Sequence, residues 1–283
     1  MSVINTNVNS LVAQNAVTVN ARSLSRAMEQ LSTGKRINGA KDDAAGLSIT
    51  QNMTAQIRGL NMAIRNANDG VSLLQTADGA MVEQSNMLQR MRELAVQAAS
   101  DTVTDTQKGY LDDEFTALRT EINRIGANTM WNDQNLLDGT GGLGGGAGSY
   151  DFQVGSEETV ISVNVPNAQS TGGTGTAIYS SINSSAIDTA ADATDAIDEI
   201  DTAIEAASSA RSAIGAAINQ LTYAADNLAN ISMNTSASRS RIEDTDYAAA
   251  STELARSQII QQAATAMLAQ ANQSPQSVLA LLK

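Results

Sequence analysis

A long heptad stripe between residues 57 and 98 constrains the fold of this chain most strongly. Its apolar residues at first recur at alternating steps of three and four, and polar residues fill the positions between them. Such a stripe needs another helix to cover it. Asn68-Asp69-Gly70 resembles a turn, and Gly79 costs about 1 kcal/mol relative to Ala. The period passes both in phase, so one continuous helix is predicted. The stripe consists of Ile57, Leu60, Ile64, Ala67, Val71, Leu74, Met81, Leu88, Met91, Ala95 and Ala98.

Two further stretches can supply the covering helices. One carries apolar residues at steps of four and three between 111 and 125, with Thr104 or Asp105 as its cap. The short connection before it predicts an antiparallel arrangement with the end of the first helix. The other begins near residue 186 and carries a second heptad stripe from 197 to 228.

A glycine-rich insertion separates these helices. Within it, Tyr150, Phe152 and Val154 alternate with polar residues, and residues 161–165 do the same, which predicts a β-hairpin. The sequence therefore predicts a mainly α fold with a small β insertion, in which a long antiparallel helical coiled-coil bundle carries a β-hairpin and two helical arms. The predicted boundaries are an N-terminal arm (1–41), N-terminal helices (42–135), a loop and hairpin insertion (136–185), a C-terminal helix (186–232) and a C-terminal arm (233–283).

The composition excludes several classes of function. The chain contains no Cys and no His, which excludes disulfides, the usual Cys/His zinc sites, and catalysis by Cys or His. A net charge of -13 argues against a nucleic-acid binder. No apolar run is long enough to span a membrane, and residues 1–20 lack the positive charge of a secretory signal. We expect no enzyme activity, no cofactor and no metal ion.

Both ends of the chain lack charged side chains, over residues 1–20 and 257–282. Solvated helices usually carry Lys and Glu, so an uncharged polar face predicts burial against other subunits. Ordering a residue costs about 1–2 kcal/mol of backbone entropy, and a buried Leu or Ile returns about 1.5–3 kcal/mol. We therefore expect both arms to be disordered in the monomer and to fold on assembly. The arm residues expected to be buried are Ile4, Val8, Leu11, Leu24, Met28, Leu31, Leu254, Ile260, Met267, Leu279 and Leu282.

Two clusters of charged residues need an interpretation. Asp42-Asp43 could form a metal or acid–base pair, but adjacent carboxylates on a helix point apart, so a helix N-cap is favoured. Arg90 and Leu94 lie four residues apart on a predicted helix and, with Gln97, could form a protein contact in which an exposed Leu is the anchor. The alternative, favoured by spacing alone, is an ordinary solvated face with Leu94 packed inward.

Several motifs in order resemble the bacterial flagellins, over about residues 1–140 and 185–283. They are SVINTN at 2–7, LSTGKRIN at 31–38, KDDAAGL at 41–47, RNANDG at 65–70, RSRIEDTDY at 239–247 and LAQANQ at 268–273.

The resemblance implies a structural subunit of the extracellular flagellar filament. The arms would form its inner tube, and the long helices with the hairpin its outer tube. It also implies export as an unfolded chain through the flagellar type III apparatus. A cytoplasmic export chaperone would hold the C-terminal arm, and filament cap and hook–filament junction proteins would be partners. Because the middle of the chain holds only loops and a hairpin, we expect a thin filament without large outer domains.

The resemblance also assigns roles to individual residues. Gln89, Arg90, Leu94, Gln97 and Glu114 match the family's pattern for contacting the vertebrate Toll-like receptor 5, on a surface that is also buried between subunits. Arg124, Ala203 and Gly215 match positions implicated in supercoil switching, whereas Gln220 and Ser238 depart from the usual Arg and Ala.

Three alternatives remain at this point. A hook–filament junction protein shares both terminal designs, and a type III needle or translocator component is also exported. A signalling coiled coil such as a chemoreceptor fragment would need a membrane segment and a charged seam. Assembly of the pure protein into long tubes would favour a flagellin.

Overall fold

A computed structural model describes residues 6–141, 148–155, 159–171 and 177–280 of this chain. Its elements confirm the predicted mainly α fold with a small β insertion. The five helices of the described residues are α1 (Val8–Thr33), α2 (Ala44–Ala98), α3 (Asp105–Asn128), α4 (Ala190–Glu243) and α5 (Tyr247–Ala280). The strands are β1 (Met130–Trp131), β2 (Gln134–Asn135), β3 (Ser149–Gln153) and β4 (Val160–Asn164), and a short 3-10 helix spans Ser180–Ile182.

Contacts divide the chain into two compact units. The arm unit comprises residues 1–57 and 233–283, and the rod unit comprises residues 58–232. The long helices α2 and α4, of 55 and 54 residues, contribute to both units.

Helix α2 is continuous through both predicted weak points. Asp43, not Asp42, caps its start, since the Asp43 carboxylate accepts a hydrogen bond from the Gly46 amide at 2.8 Å. At Gly70, a side chain would collide with the Phe152 ring, whose nearest atoms lie 2.8 Å from an ideal Cβ position. Gly70 therefore makes room for the hairpin to pack on α2. Gly79 has nothing within 4 Å of that position.

Helix α4 does not end in the Ser, Asn and Thr residues that follow Ile231. It continues to Glu243, and Ser232 is buried with its hydroxyl 3.1 Å from the Asn61 side-chain oxygen. A hydroxyl that finds a partner across the helix pair does not compete with the helical backbone. The break falls instead at residues 244–246.

The heptad stripe of α2 faces the core of the rod unit from Leu60 onward. Its residues there are buried, except that Ile64 and Val71 are partly buried and pack against the same core. The buried partners include Phe115 and Ile122 of α3 and a row of residues on α4. That row consists of Ala193, Ala196, Ile200, Ala203, Ala207, Ile214, Ala217, Leu221 and Leu228. The second heptad stripe thus covers the first, as predicted.

The predicted hairpin is present as the antiparallel pair β3–β4. Tyr150 lies opposite Val163, and Phe152 lies opposite Ile161. The smaller β1–β2 hairpin was not predicted. Its two turn residues, Asn132 and Asp133, have φ values of 49° and 62°. Two successive positive φ values fit the turn that joins the tightest hairpins, and Asn and Asp tolerate them best after Gly.

A buried glutamine fastens the insertion to the helices. Gln84 of α2 is fully buried, and its side-chain nitrogen donates to the carbonyl oxygens of Ile122 at 3.0 Å and Ala168 at 2.8 Å. The Tyr179 hydroxyl lies 3.4 Å from its side-chain oxygen. Gln84 therefore joins α2, α3 and the segment after β4 at one point.

The substitution Gln84→Leu tests this joint, since it keeps the volume and removes the donor. Ile122 lies within α3, where its carbonyl oxygen keeps a helical main-chain donor, but the Ala168 carbonyl oxygen loses the Gln84 donor. Such a loss costs about 1–3 kcal/mol, so the free energy of unfolding should fall by about 1–3 kcal/mol in urea denaturation. The control is Gln75→Leu on the exposed side of the same helix, which should change it by less than about 0.5 kcal/mol. Equal losses in the two variants would contradict the role given to Gln84.

Candidate functional site

The two terminal helices pair in antiparallel fashion along a narrow seam. The Asn20 side-chain nitrogen donates to the Ser257 carbonyl oxygen at 2.8 Å and to the Gln261 side-chain oxygen at 3.0 Å. Nearer the chain ends, the Asn7 side chain donates to the Ala271 carbonyl oxygen at 2.7 Å. The buried residues of α1 are Asn20 and Ala27, and the buried ones among the described side chains of α5 are Ala250 and Ser257. The seam is thus built from small and polar residues.

Most of the large apolar side chains of this helix pair are exposed. Leu11 is 56% exposed, Val12 and Met267 are each 64% exposed, and Ile259 is 67% exposed. Val8, Val19, Met28 and Ile260 are also exposed. Leu24, Leu31 and Leu254 are partly buried. The predicted arm residues Ile4 and Leu282, and the side chain of Leu279, lie outside the described part of the chain.

A groove of about 460 Å³ runs between the two helices near the chain ends. Val12 and Met267 lie in its wall, which is otherwise formed by small and amide side chains. Its lining residues are Asn9, Val12, Ala13, Ala16, Met267, Gln270 and Ala271. Near the chain ends, the surface beside Val12 and Met267 is therefore concave, a shape that accepts the side chains of another helix.

A set of hydrogen bonds joins the two loops at the base of the arms. The Arg36 guanidinium donates to the Ile242 carbonyl oxygen at 2.6 Å, and the Arg36 amide donates to the Glu243 carbonyl oxygen at 2.7 Å. The Thr245 amide donates to the Gly34 carbonyl oxygen at 2.9 Å, where Gly34 has a φ of 72°. Arg36 thereby satisfies a terminal carbonyl of α4. Arg36 was not predicted to have this role, because α4 ends more than two hundred residues later in the sequence, although a basic side chain near a helix C-terminus is a capping signal.

The surface predicted for receptor contact lies on α2 and α3, and four of its five residues are exposed. The Arg90 guanidinium lies 3.0 Å from Glu114 of α3 and 3.0 Å from Glu93. Hydrogen bonds to Glu114 and then to Glu93 raise the pKa of Arg90 above its ordinary value. Gln89 and Gln97 are exposed on either side along α2.

Leu94 does not belong to that exposed surface. It is 1% exposed and packs in the core of the rod unit. The interpretation of Leu94 as an exposed anchor is wrong for the isolated chain, and the alternative of inward packing is correct. The apolar face of α2 is wide enough here to take in Leu94 beside Met91 and Ala95, whereas Arg90, four residues earlier, lies at its edge.

The three residues matched to supercoil switching lie on two helices of the rod unit. Arg124 is exposed on α3 and binds Glu121 through two hydrogen bonds, at 2.6 and 2.7 Å, which lower the pKa of Glu121. Ala203 is fully buried on α4, and Gly215 is partly buried on the same helix. Ala203 and Gly215 are twelve residues apart, or about 18 Å along the helix axis.

Among the described residues, no three Asp or Glu side chains are grouped so that they could hold a metal ion. Within the same residues, no helix combines the length and apolarity that crossing a membrane requires.

Comparisons with known proteins match both ends of the chain. The family model described as the bacterial flagellin N-terminal helical region matches residues 4–141, and the one described as the bacterial flagellin C-terminal helical region matches residues 197–282. A flagellin of Halalkalibacterium halodurans is 43% identical over 282 residues, which cover 99% of this chain and 100% of the relative. The flagellin of Bacillus subtilis is 41% identical over 305 aligned positions, which cover 99% of each chain. The crystal structure of Bacillus cereus flagellin matches with a TM-score of 0.49 and 30% identity, over 58% of this chain and 88% of that chain. The chain therefore belongs to the bacterial flagellin family and is a structural, non-enzymatic subunit of the extracellular flagellar filament.

Proposed function

We propose that the two terminal arms drive filament assembly by burying their outward apolar faces against neighbouring copies. In this proposal the arms line the inner tube, and the helices and hairpin of the rod unit form the outer tube. The single observation that carries it is which side chains of the α1–α5 pair are buried between the two helices and which are exposed. Small and polar residues occupy the seam within the chain, whereas Leu11, Val12 and Met267 are more than half exposed.

The energetics favour another copy of this chain as the occupant of that surface. Each large apolar side chain that moves from water to an interface contributes about 1.5–3 kcal/mol. The seam within one chain gains little of this, because it buries alanines and amides. Residues 1–20 and 257–282 also carry no charge, so like-charge repulsion does not oppose the packing of identical arms.

The substitution Leu11→Asp tests the assembly surface. Leu11 lies in the first turns of α1, where a carboxylate favours the helix, so the change affects the outward face and not the helix itself. Losing one buried Leu and burying a charge should raise the critical concentration for salt-induced polymerisation by at least about tenfold. Leu11→Met keeps the apolar face and should polymerise normally. Normal tubes from the Asp variant in electron micrographs would contradict the proposal, and failure of the unaltered protein to polymerise alone would favour a junction protein.

We further propose that the arms are disordered in the exported monomer and become helical in the filament. An unfolded arm suits export through the flagellar type III apparatus and capture of the C-terminal arm by a cytoplasmic chaperone. The filament cap and the hook–filament junction proteins would then receive the same apolar faces. In this proposal, the small α1–α5 seam becomes stable only when neighbouring copies cover the arms.

Circular dichroism tests the order of the arms. The mean helical signal per residue should rise when monomers polymerise, because α1 and α5 would add their residues to the helices of the rod unit. Deleting residues 1–41 should lower the helical signal of the monomer by less than the loss of all α1 residues would account for, because α1 would not be helical in the monomer. Equal helix content in monomer and polymer would contradict a disordered state of the arms.

We propose that the α2–α3 surface of Gln89, Arg90, Gln97 and Glu114 is an agonist surface for Toll-like receptor 5 and also an inter-subunit contact. Glu114 and Glu93 hold the Arg90 guanidinium at the exposed edge of this surface, which reduces the entropy lost when a partner binds it. Leu94 supports the surface from beneath. Arg124, Ala203 and Gly215, which match the family's positions for supercoil switching, are candidates for that role in this chain.

The substitution Arg90→Ala tests the receptor surface. A central Arg in an interface is worth about 2 kcal/mol or more, so the concentration needed for half-maximal receptor signalling should rise by at least about tenfold. Arg65→Ala removes an exposed Arg from the same helix outside this surface and should leave signalling unchanged. Equal signalling by the Arg90 variant and the unaltered monomer would contradict the assignment.

A further inference from the structure

The loop between α1 and α2 contains the one Asn-Gly dipeptide in the sequence, Asn38-Gly39. Asn-Gly is the dipeptide most prone to spontaneous deamidation, because Gly has no side chain to shield its main-chain nitrogen. That nitrogen attacks the side-chain carbonyl carbon of Asn and closes a five-membered imide, and the amide nitrogen leaves as ammonia. Water then opens the ring at either carbonyl, and the product is Asp or isoaspartate.

In this structure, hydrogen bonds hold both reacting groups. The Gly39 amide, which would be the nucleophile, donates to the Asp42 side-chain oxygen Oδ2 at 3.2 Å. The Asn38 amide donates to the same oxygen at 3.3 Å. The Asn38 side-chain nitrogen, which would be the leaving group, donates to the Lys35 carbonyl oxygen at 3.0 Å.

Within the described part of the chain, the side chain of Asp42 accepts hydrogen bonds only from the amides of Asn38 and Gly39. The start of α2 is capped by Asp43. The second oxygen of Asp42 is buried without a hydrogen-bond partner among the described residues, and its nearest cation is Arg26 at 3.9 Å. A nearly buried carboxylate with an unsatisfied oxygen is costly, and its short contacts are all to Asn38 and Gly39.

We propose that Asn38-Gly39 is a spontaneous modification site and that the Asp42 carboxylate suppresses its deamidation in the folded chain. The attack requires the Gly39 nitrogen to lose its proton. A carboxylate is a far weaker base than an amide anion, so this hydrogen bond stabilises the protonated amide and does not remove the proton. Unfolding the loop removes the carboxylate and releases the Asn38 side chain together.

Deamidation would damage this loop in two ways. Either product adds a negative charge beside Asp42 and Asp43, and the donor that reaches the Lys35 carbonyl oxygen is lost. Isoaspartate also adds a methylene group to the main chain. The same loop contains Gly34 and Arg36, which are hydrogen-bonded to residues 242–245. Deamidation should therefore weaken the hydrogen bonds that join the bases of the two arms.

Peptide mass spectrometry of the full-length chain, incubated at neutral pH, tests the proposal. Loss of a hydrogen bond to a charged acceptor should speed deamidation of Asn38 by about tenfold in Asp42→Ala. Asp42→Asn keeps a neutral acceptor in place and should give an intermediate rate. The unaltered chain in urea sets the unprotected rate, which should exceed the folded rate by a similar factor.

Gly39→Ala is the matched control. Its Cβ would have nothing within 4 Å, so the folded loop accepts it, and the added methyl group hinders the attack. Gly39→Ala should nearly stop deamidation, both alone and combined with Asp42→Ala. The double variant thus shows whether the faster reaction in Asp42→Ala proceeds by attack of the residue 39 nitrogen. Equal rates in urea and in buffer for the unaltered chain would overturn the proposal. Slower deamidation in Asp42→Ala would also overturn it, since Asp42 would then promote the reaction.

Discussion

Coverage of the apolar stripe on α2 is the interaction on which the rod unit depends. A helix of 55 residues with one apolar face cannot be stable alone in water, and α3, α4 and the β3–β4 hairpin each bury part of that face. The stripe on α4 is rich in alanine, which lets it pack closely against Leu74, Met81 and Leu88 of α2. Gly70 extends this close approach to the hairpin, because Phe152 packs where a side chain would stand.

The arm unit follows the opposite rule. Within the α1–α5 pair, the buried residues are small or polar, and most of the large apolar residues are exposed. Hydrophobic burial therefore stabilises the rod unit within one chain, whereas in the proposed assembly the neighbouring copies would supply it to the arms. This division suits the proposed assembly of a filament subunit, in which the ends of the chain would gain their stability from the polymer. The bonds from Arg36 and Gly34 to residues 242–245 tie the bases of the two arms together.

Periodicity predicted the helices, the covering stripe and the β3–β4 hairpin, because each depends on a local repeat of apolar residues. Periodicity did not predict which polar residues are buried or what they contact. Gln84 lies among polar residues in the sequence, and only its position opposite Ile122 and Ala168 explains its burial. Spacing alone favoured Leu94 packed inward, which is correct, whereas the resemblance to the flagellins placed Leu94 on a contact surface. The β1–β2 hairpin is too short for a repeat, although Asn132-Asp133 suits its turn. The C-terminal helix was predicted to end at residue 232, because Ser, Asn and Thr residues follow it and such residues favour helix ends. In α4 the Ser232 hydroxyl instead contacts the Asn61 side chain, and the helix continues.

Asn20 gives the arms a further property. Its side-chain nitrogen donates to the Ser257 carbonyl oxygen and the Gln261 side-chain oxygen inside the seam. If α1 slid along α5 by one helical turn, about 5.4 Å, the amide would move away from both acceptors. A single buried amide can fix the axial alignment of two helices in this way, at some expense of stability. Every copy would then present its outward side chains at the same height, and identical spacing in all copies is what a helical lattice requires.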